Sequence, residues 1–160
     1  MHRRLRYIPI IILIMMLAAS CGVDRAIKKG DKFAAIMEYY EAAQEYKSAY
    51  RRISPKERKK RGVVAWKLAE CYRKINSPVF AVGAYQNAVR YGYPDSMAQL
   101  YLADAQLEKG DYKASQKSYE AFLERDPHNR MAQIGLQAAK QSQEWKKTPS
   151  RYIVAKAKEL

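Results

Sequence analysis

Small, aliphatic and aromatic positions recur along this chain at a fixed interval. Gly62 to Asp95 carries Leu68-Ala69, Tyr72, Ala81, Tyr85 and Ala88, and Ser96 to Asn129 carries Leu102-Ala103, Tyr112, Ser115, Tyr119 and Pro127. The pairs Leu68/Leu102, Ala69/Ala103, Ala81/Ser115 and Tyr85/Tyr119 are each 34 residues apart. A period of this size marks a stacked-repeat architecture, in which each helical pair buries its apolar face only against its neighbours.

An earlier copy runs from Val23 to about Ile53, with Gly30, Phe33, Tyr39, Ala42, Tyr46 and Ala49 in the same order. Ala42 and Ala81 are 39 residues apart, so extra residues separate these copies. They fall at Ser54-Pro55-Lys56-Glu57, which reads as a capping box with Ser54 at N-cap, Pro55 at N1 and Glu57 at N3. The expectation is a helix lengthened backward to this point. A fourth segment, Pro127 to about Trp145, has Met131, Ile134, Ala138 and Gln141-Ser142 on helical spacing and ends before Thr148-Pro149-Ser150. It predicts a closing helix, which covers the apolar face of the last repeat.

The period and the residue types resemble the tetratricopeptide repeat. That resemblance implies an all-α tetratricopeptide-repeat solenoid of about three helix-turn-helix repeats plus a closing helix. It also implies a groove lined by the first helix of each pair. Carried over position by position, the groove residues are Val63, Trp66, Glu70, Arg73 and Lys74, then Met97, Leu100, Tyr101, Asp104 and Glu108. Trp66 and Tyr101 are the expected anchors, because aromatic residues dominate interface hot spots. Where the family's carboxylate clamp carries Asn, this chain has Asp31, Glu70 and Asp104. Three acidic groups would repel a C-terminal carboxylate, so a clamp of that kind is not expected. Lys29 and Phe122 depart from the family pattern, at a usually apolar and a usually Ala position.

Composition narrows the chemistry. The chain has 160 residues, two His and two Cys. His2 and His128 lie at opposite ends, so a histidine triad or metal site has almost nothing to draw on, and no Gly-rich phosphate loop is present. Acidic pairs such as Asp104/Glu108 have nothing beside them in sequence that would raise a pKa for acid–base work. A non-catalytic protein without cofactor or metal is expected, with Cys71 a buried lone thiol.

The N-terminus has its own pattern. His2-Arg3-Arg4-Leu5-Arg6 is a basic start, and Tyr7 to Ala19 is uncharged and mostly aliphatic. The stretch is too short to span a bilayer of ~30 Å but suits a signal peptide. It ends in Leu17-Ala18-Ala19-Ser20-Cys21, which resembles the bacterial lipobox. That resemblance implies lipidation of Cys21 and a leader over residues 1–20. The repeats then occupy residues 21–145 and a basic tail residues 146–160. The expected location is the outer membrane, lipid-anchored and facing the periplasm, where nucleic acid is not a partner.

Charge is concentrated. Residues 51–61 hold Arg51, Arg52, Lys56, Arg58, Lys59, Lys60 and Arg61 against Glu57, a net +6, whereas residues 62–145 carry a net +1. The cluster reads either as a solvated helix end or as a contact for anionic headgroups or an acidic partner.

Tyr39-Tyr40-Glu41-Ala42-Ala43, Leu68-Ala69-Glu70-Cys71-Tyr72-Arg73-Lys74 and Thr148-Pro149-Ser150-Arg151-Tyr152, together with the lipobox, resemble a further group. They are similar to the N-terminal repeat region of Bacteroidota OmpA-like outer-membrane proteins associated with type IX secretion. The resemblance implies an envelope scaffold that binds protein partners. An outer-membrane biogenesis lipoprotein and a regulatory subunit of an envelope enzyme are the alternatives.

Overall fold

The computed structural model describes the backbone of residues 8–148 and the side chains of residues 22–148. The described residues form α1 (Ile8–Ala35), α2 (Tyr39–Arg52), α3 (Arg58–Lys74), α4 (Pro78–Arg90), α5 (Met97–Glu108), α6 (Tyr112–Leu123) and α7 (Arg130–Lys147), with no strand among them. Each helix packs against the next, and α5 also touches α7. The result is an α-solenoid of three helical pairs closed by one further helix. Residues 1–7 and the tail from 149 onward lie outside the described residues, as does the side chain of Cys21. Lys146 and Lys147, expected in the tail, are the last residues of α7. Among the described residues, no helix is long and apolar enough to cross a membrane.

Small residues allow the pairs to approach closely. Ala42, Ala81 and Ser115 are 0–1% exposed, and so are Ala69 and Ala103 on the facing helices. Gly30 holds the position of Ala69 in the first pair. A Cβ there would lie 2.7 Å from Cε1 of Tyr46, so the ring itself fills that place. Tyr46, Tyr85 and Tyr119 then occupy equivalent core sites at 3%, 0% and 1% exposure. Phe122 is also buried, at 2%, so its departure from the family pattern adds volume to the last pair. Lys29 stays outside, paired with Glu45 at 2.6 Å.

The turn inside each pair repeats a single geometry. Met37 (φ 64°), Asn76 (φ 52°) and Gly110 (φ 83°) are left-handed. The amides that follow reach back to the helix end: Glu38 to the carbonyl of Phe33, Ser77 to Tyr72 and Asp111 to Gln106, at 2.9–3.0 Å. These closing bonds satisfy carbonyls left free at a helix C-terminus. Asp111 and Asn129 cap α6 and α7 through the amides of Ala114 and Ala132. The Asn129 cap places the start of α7 at Arg130, three residues beyond Pro127.

The insertion behaves differently from the sequence expectation. α3 begins at Arg58, with Glu57 at its N-cap, and is not extended back to Ser54. Both expected side chains do bond locally: the Ser54 amide donates to Glu57 Oε1 at 3.2 Å, and the Lys56 amide to Ser54 Oγ at 3.3 Å. They close a turn over residues 54–57 instead of opening a helix. The backbone closes the turn as well, the Glu57 amide donating to the Ser54 carbonyl at 3.0 Å, and the helix starts only after it.

Candidate functional site

The first helix of each pair presents a carboxylate, and the second presents the tyrosine that binds it. Tyr46 donates to Asp31 at 2.7 Å, Tyr85 donates to Glu70, and Tyr119 donates to Asp104. Donor and acceptor are 15 residues apart in every pair. All three hydroxyls are pushed to stay protonated, first by burial and then by the adjacent carboxylate. They therefore act as fixed donors that hold the acidic side chains in place.

Cations are threaded between the first two carboxylates and beyond. Lys67 pairs with Asp31 at 2.6 Å and lies 5.8 Å from the Tyr46 ring centroid. Arg73 grips Glu70 with two bonds, Nη2 to Oε2 at 2.6 Å and Nε to Oε1 at 3.2 Å. The Arg73 guanidinium also stands 4.9 Å from the Tyr101 ring centroid. Asp104 has no ion pair among the described residues. Burial raises its pKa, and the Tyr119 hydrogen bond and the Arg73 charge offset this only in part. For Asp31 the balance is reversed: burial raises the pKa, but Lys67 and Tyr46 outweigh it and hold the group below its usual value. The same position thus carries a paired anion in the first pair and an unpaired one in the third.

A pocket of about 220 Å³ opens between α1, α2 and α3, lined by residues that include Tyr39, Trp66, Lys67, Glu70 and Lys74. Lys74 is exposed at its rim. Trp66 is also sandwiched, stacked on Tyr93 at 4.7 Å and on Tyr101 at 5.8 Å, with the Tyr85 edge at 5.7 Å. It is both pocket wall and inter-repeat packing. Leu100 does not belong to an accessible wall. It is 1% exposed, in a core with Tyr119, Phe122, Ala132 and Ala139, because α7 covers it. Of the residues expected in the groove, Trp66, Glu70 and Lys74 line this pocket and Arg73 joins Glu70 to the Tyr101 ring, while Tyr39, Tyr46 and Lys67 were not among those expected. The missing signal was present: Asp31/Tyr46, Glu70/Tyr85 and Asp104/Tyr119 repeat one spacing.

The basic cluster is not one helix. Arg51 and Arg52 end α2, Lys56 sits in the inserted turn, and Arg58 to Arg61 open α3. Arg61 is turned inward. Its Nη1 donates to the Ile53 carbonyl at 2.6 Å, its guanidinium lies 4.3 Å from the Tyr50 ring centroid, and its buried Nε has no hydrogen-bond partner. Lys60 is paired with Asp24 at 2.6 Å. The exposed cations are Arg51, Arg52, Lys56, Arg58 and Lys59.

Cys71 is 3% exposed, and its thiol is pushed up to about 11, first by burial and then by the charge of Glu70. Among the described residues, no group of three or more His, Cys, Asp or Glu side chains is placed to hold a metal ion.

No protein-family model matches the sequence, and no curated protein matches it. Solved structures do. The first tetratricopeptide domain of Spaghetti (RPAP3), bound to the HSP90 peptide SRMEEVD, is 22% identical with a TM-score of 0.62, covering 78% of this chain and 95% of that one. The second such domain of human RPAP3, in complex with the HSP70 peptide SGPTIEEVD, is 19% identical with a TM-score of 0.60, covering 74% and 98%. YrrB, described as a tetratricopeptide protein with an unusual peptide-binding site, is 19% identical with a TM-score of 0.60, covering 88% and 76%. The fold is a tetratricopeptide-repeat α-solenoid.

Proposed function

We propose that this protein is a non-catalytic adaptor of the bacterial envelope, anchored by lipid on Cys21, which binds a segment of a protein partner in its groove. The observation that carries the reading is the pocket between α1, α2 and α3, where Trp66 and Tyr39 stand beside the charged Lys67, Glu70 and Lys74. Aromatic anchors supply affinity, and the fixed charges select among partners. Two of the structural neighbours hold peptides, which supports a peptide-binding use of this groove. Those peptides end in EEVD, whereas here the carboxylates Asp31 and Glu70 occupy the groove already paired with Lys67 and Arg73, so a segment bound here is held by a different set of contacts. The lipobox-like Leu17–Cys21 and the repeat and tail segments are the support for an outer-membrane location and for a role in outer-membrane or type IX secretion assembly.

A photo-crosslinking residue at Lys74, introduced into the full chain in its host, should capture an envelope protein that the same residue at the exposed Gln86 on α4 does not. Equal capture from both positions, or none from Lys74, would remove the groove assignment. The anchor is read separately. Labelled palmitate should enter the wild type and not Cys21→Ala, and equal labelling of both would remove the lipoprotein reading.

A further inference from the structure

The exposed cations sit where the chain leaves the solenoid. Lys60, in the first turn of α3, pairs with Asp24 at 2.6 Å, three residues after Cys21. Arg52 Nη1 lies 3.0 Å from where a Cβ on Gly22 would stand. The α2–α3 turn is therefore fastened beside the residues that directly follow the anchor. From the same edge α1 continues back to Ile8. We propose that this edge is a membrane-docking surface, on which Arg51, Arg52, Lys56, Arg58 and Lys59 rest on anionic phospholipid headgroups. The proposal rests on the anchored reading given above and adds the face that the anchor presents to the bilayer.

Three features support a lipid surface as the occupant. First, charge is complementary and dense: five exposed cations flank the α2–α3 turn, Arg58 also donating to the Arg90 carbonyl at 2.9 Å, and Asp24 and Glu57 are already bonded to Lys60 and to the Ser54 amide. Second, the arrangement works against local stability. Arg58, Lys59 and Lys60 occupy the first turn of α3, which has no acidic residue, and a helix N-terminus disfavours cations. Local rules broken in this way mark function more often than structure. Third, the cluster is tied to the start of the chain's described side chains: Lys60 is bonded to Asp24 and Arg52 lies against Gly22, so the edge moves with the residues that follow the anchor.

The competing face is apolar. Ile36, Met37 and Tyr40 at the first intra-pair turn, with Val79 and Phe80 at the start of α4, are 60–75% exposed. This patch begins 14 residues along α1 from Gly22, about 20 Å at the helical rise. An anchor at residue 21 holds it away from the bilayer.

The test uses the full chain, purified in detergent and reconstituted into vesicles. One version carries a fluorophore at Lys56→Cys and another at Val79→Cys; buried Cys71, its pKa raised to about 11, stays unlabelled. In phosphatidylcholine–phosphatidylglycerol vesicles, headgroup-attached quenchers should quench position 56 and spare position 79. Added salt, or vesicles of phosphatidylcholine alone, should abolish the difference. Each cation near the surface contributes roughly fivefold in partitioning, so reversing Arg51, Arg52, Arg58 and Lys59 to Glu should reduce the contact at position 56 more than a hundredfold. Stronger quenching at position 79, or equal quenching in the charge-reversed protein, would overturn the proposal. So would salt-sensitive capture of an acidic protein by this edge without quenching. Palmitate labelling decides the anchor alone, so its failure is distinguishable from failure of the docking face.

Discussion

Removing one hydroxyl from each rung of the tyrosine–carboxylate ladder should give unequal costs. Tyr→Phe is nearly isosteric, and Tyr46, Tyr85 and Tyr119 are all at most 3% exposed, so packing changes little. What differs is the carboxylate left behind. Asp31 keeps Lys67 at 2.6 Å, and its side chain is 44% exposed to water. Glu70 keeps both bonds from Arg73. Asp104 keeps no ion pair and is already raised in pKa by burial. A hydrogen bond to a charged group contributes about 1.5–3 kcal/mol, and the upper part of that range applies where no second partner compensates. Tyr119→Phe should therefore cost about 2–3 kcal/mol and Tyr46→Phe about 1 kcal/mol, measured by urea unfolding at neutral pH. Tyr85→Phe should fall between them. In a double-mutant cycle with Asp104→Ala, Tyr119→Phe should show a coupling of about 1.5 kcal/mol or more. Equal costs at the three rungs, or a coupling below about 0.5 kcal/mol, would refute the view that the third carboxylate depends most on its tyrosine.

Trp66→Ala should destabilise the solenoid by about 3 kcal/mol in the same assay, through loss of the stacks on Tyr93 and Tyr101. A loss under about 1 kcal/mol would mean that the sandwich contributes little to inter-repeat packing. Met37→Gly should stabilise by about 1 kcal/mol, because Met37 holds φ 64° while 75% exposed; unchanged or lower stability would count against backbone strain at that turn. The pH response should separate the end rungs. Asp104, raised in the fold, contributes stability that is full below its ordinary 3.8 and lost as pH rises through the folded value. Asp31, lowered in the fold, contributes stability present above 3.8 and lost as pH falls through the folded value. Acid titrations of stability for wild type, Asp104→Asn and Asp31→Asn should therefore diverge in opposite directions, and divergence of the same sign would contradict the opposite shifts.

The repeat was legible because close helix approach tolerates few side chains. Ala69, Ala103, Ala81 and Ser115 recur at one period since any larger group there would meet a neighbouring helix, and each is 0–1% exposed. The start of α3 was not legible. Ser54, Pro55 and Glu57 satisfy a capping pattern, yet the same side-chain bonds are made here over a turn that the Glu57 amide closes onto the Ser54 carbonyl. Tertiary contacts of Arg61 also act at this junction. Its bond to the Ile53 carbonyl and its stack on Tyr50 fasten the end of α2 to the first turn of α3, and these contacts join residues from different repeats.

The site was legible in its charges and illegible in its burial. Position in the repeat located Glu70, Arg73, Lys74 and Asp104, but it assigned Leu100 to the same wall as Trp66, one repeat earlier. The two positions are equivalent in register and unlike in surroundings. Trp66 is stacked between the flat rings of Tyr93 and Tyr101, with the Tyr85 edge beside it, and still reaches the pocket. Leu100 is met by α7, whose Gly135 allows the Tyr119 ring so close that a Cβ there would lie 2.3 Å from its Cζ. Residues one repeat apart correspond to one another: Lys67 above Tyr46, Tyr101 above Tyr85, and Gly135 above Tyr119. The first cation neutralises Asp31, whereas the glycine brings no charge to Asp104. One side chain absent from the closing helix thus lets the Tyr119 ring seal the last core, and the charge that acts on Asp104 comes from Arg73 on α3.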